Sequence, residues 1–268
     1  MAETRRSYIF CAFLSGILSV LLIIVALASE GWVVSTGSTD EQNKDSVIRY
    51  GMFKGELALH IFITPSYNTL YMTCLSDINA CAVSCKTDTQ AREDEVRALA
   101  QGFRPNLACV AFTTVDTSNP LPDPPVISYG VYVSLLTLLF LQLALATLSA
   151  ALAILNATKN PTEPIFGLPG CLWSNVATTV VGVTFMLFFG IYWVTSGWKE
   201  HLAFSYIALG SLRPGPGLGY SYWILLGANL CSIANVGLIV LRNYLLERDP
   251  PPPTIKVENH SDGTIFLY

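Results

Sequence analysis

Residues 8–28 read YIFCAFLSGILSVLLIIVALA, and this stretch decides the fold. It holds no acidic or basic side chain. At about 1.5 Å of helix rise per residue it is long enough to cross the ~30 Å hydrocarbon core of a bilayer. Ala26, Leu27 and Ala28 also form a small-x-small pattern, so a cleaved signal peptide is the alternative reading. The apolar run is longer than the usual h-region, and we read it as a retained first span that follows a short head, residues 1–7, with Arg5 and Arg6.

Three further apolar runs follow, within residues 126–155, 171–195 and 222–241. The second span starts after the breaker formed by Pro122, Pro124 and Pro125, and no ionisable group interrupts it. Trp173, Tyr192, Trp193, Tyr222 and Trp223 have the composition of an interfacial aromatic belt. The whole chain agrees, being 52% hydrophobic and 13% charged over 268 residues, which is far from a soluble domain of this length. Four spans place both termini on one side. Arg5, Arg6, Lys159, Arg242 and Arg248 lie on that side, against Lys199 and Arg213 in the short loop opposite, so the positive-inside rule makes the termini cytoplasmic. Residues 29–125 and 196–221 are then the two outer loops. Residues 156–170 form the inner loop, and 242–268 the inner tail.

The first outer loop carries four of the seven cysteines: Cys74, Cys81, Cys85 and Cys109. An even set in an oxidising compartment predicts two disulfides, with three pairings open. A zinc site at Cys81 and Cys85 is the weaker reading, since no His sits nearby. Cys11, Cys171 and Cys231 lie in apolar runs and read as small buried hydrophobes. The β-branched and aromatic stretches Val47–Leu59, His60–Thr64, Thr69–Leu75 and Val110–Val115 predict a small antiparallel sheet. Asp88 caps a predicted helix from Thr89 to Gln101, with Glu93 and Arg97 paired at i, i+4 and Gly102 as its stop. That helix reads as a solvated decoration, with calcium binding by an exposed Glu93, Asp94, Glu95 cluster as the lesser reading. The expected fold is therefore an all-α transmembrane four-helix bundle carrying a small extracellular antiparallel β-sheet.

In lipid, the bundle must associate through close packing and internal hydrogen bonds. Ser15 with Ser19, Ala146 with Ala150, Gly182 with Gly190, and Ala228 with Ser232 read as the packing faces. Gln142, Asn229 and Asn235 read as interhelical hydrogen-bond partners. No Asp, Glu, Lys, Arg or His lies inside a span, which argues against an ion or proton pathway.

Other functions are disfavoured on similar grounds. The loop of residues 29–125 is acidic and the net charge is -4, so there is no basic footprint for nucleic acid. No nucleophile elbow, HExxH or phosphate loop occurs, and His60, His201 and His260 are scattered, so we expect no enzyme, cofactor or metal site. The glycosylation patterns at Asn156 and Asn259 fall on the cytoplasmic side, where that modification does not occur. The tail leaves the membrane through the proline run ending at Pro253 and finishes Phe266, Leu267, Tyr268. That hydrophobic-x-hydrophobic end with a free carboxylate suits strand addition to a PDZ-domain scaffold.

Trp32 after the first span, followed by Gly51, Met52 and Phe53, resembles the claudin-like superfamily of tetraspan proteins, although Phe53 stands where the claudin signature has a second tryptophan. The chain is more similar to the clarin family. The likeness rests on Ile9, Phe10 and Cys11, on YGMFKGE (Tyr50, Gly51, Met52, Phe53, Lys54, Gly55, Glu56) and on the 156–172 segment with Pro161, Glu163 and GLPG at 167–170. It continues in Lys199 to Leu202, in Tyr222 and Trp223, in Asn235 to Ile239 and in the apolar chain end. The resemblance implies a non-enzymatic, multi-pass plasma-membrane protein that organises membrane and actin-linked structures in sensory cells. Its expected partners are membrane lipid, a PDZ scaffold and actin-linked cytoskeleton proteins. The alternatives are an auxiliary subunit of an ion channel and a claudin-like cell-contact protein, and the further partners considered are a channel or a second copy of the chain in a homo-oligomer.

Overall fold

The computed structural model of the chain describes residues 2–39, 42–59, 66–105, 109, 115–116, 120, 124, 126–158, 165–196 and 213–248. The helices among them are α1 (Ala2–Ala28), α2 (Thr89–Ala100), α3 (Tyr129–Thr158), α4 (Leu168–Thr195) and α5 (Tyr220–Arg248). All but α2 contain a stretch long and apolar enough to cross a membrane, the mark of a multi-pass membrane protein. The most extensive helix contacts run α1–α3–α4–α5 and back to α1, and the Gln142–Asn229 hydrogen bond crosses this ring between α3 and α5. The second apolar run becomes helical only at Tyr129, because Ile127–Ser128 form a strand.

The small residues sit where helices meet. Ser19 donates to the Ala228 carbonyl (3.1 Å) and lies 3.3 Å from the Ser232 hydroxyl, while Ser15 donates to the Cys231 carbonyl (3.3 Å). Gly16 of α1 faces Ala150 of α3. Gln142 Nε2 donates to Asn229 Oδ1 (2.9 Å), and Asn235 Nδ2 to Asn175 Oδ1 (3.3 Å). Backbone-only Gly182 makes room for the Gln142–Asn229 pair, because a Cβ there would overlap both amides. Gly182→Ala is therefore expected to destabilise the helices by about 1–3 kcal/mol. Gly237→Ala, where nothing lies within 4 Å, is expected to change little; thermal unfolding of both variants in detergent checks this. Of the free cysteines only Cys171 is fully buried. Cys231 is half-buried and Cys11 is exposed on α1, which corrects the expectation that all three are interior. Trp193 is buried as well, instead of standing in an outward belt with Trp173 and Trp223.

The strands are β1 (Val33–Thr39), β2 (Gln42–Tyr50), β3 (Lys54–Leu59), β4 (Ser66–Leu75), β5 (Ala80–Ser84), β6 (Arg104–Pro105), β7 (Val115–Asp116), β8 (Ile127–Ser128) and β9 (Arg213–Leu218). Seven form one curled antiparallel sheet in the order β8-β5-β4-β3-β2-β1-β9, while β6 and β7 pair separately. The sheet is larger than expected and is not confined to one loop: β9 comes from the segment between α4 and α5 and runs antiparallel along β1, with Val33 opposite Leu218. The Val47–Leu59 stretch is also not one strand but the second half of β2, a turn and β3, with Ile48 opposite Leu57.

Both sheet edges are blunted. The β8 edge has two residues. On β9, the Gly219 N–H points at β1, bonding the Trp32 carbonyl (2.9 Å). N–H directions alternate along a strand, so Pro216 and Pro214 occupy the outward positions and offer no donor. Such edges resist further strand pairing.

One apolar core joins sheet to helices. Ile48, Leu57, Leu70 and Val83 of the sheet continue into Trp32, Ile127, Leu135, Phe185 and Phe189, all buried. The far end of the helices has a small separate cluster of Leu152, Ala153, Cys171 and Ile239. There Asn156 is buried, donating to the Leu152 and Phe166 carbonyls (both 2.8 Å).

Candidate functional site

The four loop cysteines pair as Cys74–Cys81 and Cys85–Cys109. Strand register explains the first bond: β4 and β5 are joined by a tight turn through Asn79, which has φ 50°, and Cys74 falls directly opposite Cys81. The second bond ties the chain just beyond β5 to the segment after α2, enclosing that helix in a covalent loop.

Helix α2 begins where expected. Asp88 accepts from the Ala91 N–H (2.9 Å), and Gly102, at φ 83°, turns the chain out of the helix. It is not a solvated decoration. Glu95, Val96 and Leu99 are buried where α2 packs on β4 and β5, and the Arg92 guanidinium stands 5.0 Å over the Tyr71 ring. Arg97 pairs with Asp77 (2.6 Å) instead of Glu93, because Asp77 lies in the β4–β5 turn beneath the end of the helix. Glu95, 6% exposed, cannot belong to an exposed acidic cluster and instead accepts a hydrogen bond from the Ser84 hydroxyl.

Burial raises the Glu95 carboxyl above the usual glutamate range, opposed by the Ser84 hydrogen bond and the Lys86 charge. A carboxyl with a raised folded pKa binds more protons folded than unfolded. Its contribution is therefore fully present below the unfolded value and is lost as pH rises through the folded one. The native protein should thus lose thermal stability from the ordinary glutamate range upward. Glu95→Gln, which still accepts from Ser84, should remove that slope and melt higher at neutral pH; melting curves against pH compare the two.

The YGMFKGE segment is the β2–β3 turn, and it anchors the sheet. Tyr50 and Met52 are buried, and Phe53 is 43% exposed. The Gly51 N–H bonds the Lys54 carbonyl (2.7 Å), and Gly55 pairs with Tyr50. The Met52 carbonyl accepts from the Tyr132 hydroxyl of α3 (2.6 Å). Gly51 packs directly on the Ser29 carbonyl at the end of α1, with no room for a Cβ. Trp32 completes the joint: it is 1% exposed, donates to the Ala26 carbonyl (2.7 Å), and lies 5.4 Å from the rings of both Phe185 and Phe189 of α4. Glu56 and Lys54, the two charged residues of the motif, both lie on the sheet face turned away from the helices, Glu56 next to Arg49 across the strand pair.

On the sheet face turned away from the helices, α2 covers β4 and β5, while among the described residues no element packs over β2 and β3. There Val47, Arg49, Glu56, Ala58 and Tyr67 line a shallow recess. Sequence reasoning marked Glu56 but not Arg49 or Tyr67. Arg49 lies inside a stretch read as strand-forming and Tyr67 just outside one, and the register that puts them together was not visible. Phe266, Leu267 and Tyr268, together with His60–Thr64, Val110–Thr114, His201 and His260, lie outside the described residues. The structure thus defines a protein with four helices apolar enough to span a membrane and a disulfide-bonded antiparallel sheet seated on one end of them. No protein-family model matches the chain, and no curated protein matches it in sequence.

Proposed function

We propose that this chain is a non-enzymatic, clarin-like tetraspan protein of the plasma membrane. Its four long helices form a bundle across the bilayer with both termini in the cytoplasm. The sheet works outside, making lateral or adhesive contacts, and the Phe266–Tyr268 end docks inside on a PDZ-type scaffold linked to actin in sensory cells. The observation that carries this reading is the union of the two loops. β9 completes the sheet built by the first loop, two disulfides and α2 lock it, and Trp32 with the Gly51 turn fastens it to the helices. A contact module so fixed to membrane spans suits force-bearing organisation between a cell surface and a submembrane scaffold.

Proximity labelling in native membranes, comparing the intact protein with one lacking Phe266–Tyr268, tests the reading. Truncation should leave the fold and surface delivery unchanged and remove PDZ and actin-linked neighbours. An unchanged set dominated by one channel would overturn it in favour of an auxiliary channel subunit.

A further inference from the structure

The open recess has a charge pattern that its own structure leaves unused. Two registered rows cross three strands: Val47, Ala58 and Tyr67 in one, and Arg49, Glu56 and Thr69 in the next. Arg49 and Glu56 are directly opposite and exposed, yet among the described residues the ion pair formed is Arg97–Asp77, not one between these two. They stand apart at the recess they line, with Ala58 between Val47 and Tyr67 as its smallest residue and Tyr67 63% exposed. Lys54 lies on the same face, one row nearer the turn.

A patch that meets a copy of itself across a two-fold axis must be self-complementary. A face of one sign would need a partner of the other sign. This one holds a cation and an anion side by side, so rotation by 180° about an axis between them sets Arg49 of one copy against Glu56 of the other, and the reverse. Tyr67 beside the recess over Ala58 adds the aromatic area that interfaces favour. The sheet edges do not compete, being closed by prolines at 214 and 216 and by the shortness of β8. We propose that this recess is a pairing surface through which two copies of the chain associate face to face. The proposal rests on the reading of the sheet as a contact module and names its partner as a second copy.

Two differently tagged full-length copies, co-expressed and taken up in mild detergent, test it through the fraction that co-purifies. Unaltered copies should associate. Arg49→Glu in both copies, or Glu56→Arg in both, sets like charges together and should lower association about tenfold or more. One Arg49→Glu copy mixed with one Glu56→Arg copy restores opposite charges at both contacts and should recover association, which a mere folding defect could not do. The proposal is overturned if unaltered copies do not associate, if neither single variant weakens association, or if the mixed pair recovers no better than the matched variants. Because the assay does not involve the tail, failure here is separate from failure of the scaffold reading.

Discussion

Gly51→Val is expected to leave little folded protein. The Ser29 carbonyl sits where a Cβ would go, and neither backbone can retreat. The Ser29 N–H is bonded to the Val25 carbonyl (3.0 Å) at the end of α1. Its hydroxyl meets the Ser221 hydroxyl of α5 (2.6 Å), and Ser221 N–H in turn holds the Gly31 carbonyl (3.0 Å). On the other side, Gly51 is held by the Lys54 carbonyl and its neighbour Met52 by Tyr132. A valine must therefore push apart α1, α3 and the β2–β3 turn at one point. That overpacking costs about 3 kcal/mol or more, a large share of the usual 5–15 kcal/mol of a folded domain. Phe53→Ala, in the same turn but 43% exposed, should be nearly neutral. The amount of monodisperse protein recovered in detergent, with its melting temperature, compares the two. Normal recovery of Gly51→Val would show that the sheet is not seated as described.

The second large effect concerns the disulfides, and the structure ranks them. Cys85–Cys109 spans 24 residues and Cys74–Cys81 spans 7. Chain-entropy reasoning assigns about 3.5 kcal/mol to the longer loop and about 2.5 kcal/mol to the shorter. Replacing both members of a pair by Ser avoids stray thiols. Cys85→Ser with Cys109→Ser should lower the melting temperature more and expose α2 to proteolysis first, because that loop carries the helix. Cys74→Ser with Cys81→Ser breaks a link between strands that remain paired by β4–β5 hydrogen bonds, so the hairpin should persist. The reverse order of melting temperatures would refute the ranking.

The two sets of residues differ in how far their roles can be read along the chain. The four long apolar helices were legible because a bilayer demands long uninterrupted apolar runs, which local composition reports directly. The α2 boundaries were legible for a similar reason, since a cap at Asp88 and a stop at Gly102 act within one helical turn. The burial of α2 was not. Val96 and Leu99 are a thin apolar signal within a charged helix, and only the outer face of β4 and β5 gives them something to cover. Ser84 likewise makes Glu95 an interior group, although its neighbours Glu93 and Asp94 are not buried.

What the sequence by itself determined is the set of four apolar helices, the oxidised pairing of an even number of loop cysteines, and the presence of strands between them. Each follows from composition or spacing over a few neighbouring residues. Tertiary structure alone decided which cysteines pair, because β4–β5 register sets Cys74 opposite Cys81. It alone turned YGMFKGE from strand into a joint, because the need for glycine at 51 comes from a carbonyl 22 positions away at Ser29. It also recruited the Pro-Gly segment 213–218 as a strand, which proline chemistry argues against until a partner such as β1 takes the inward N–H groups and leaves the prolines at the edge. These are non-local contacts, and pairings between distant residues leave no periodic trace along a single chain.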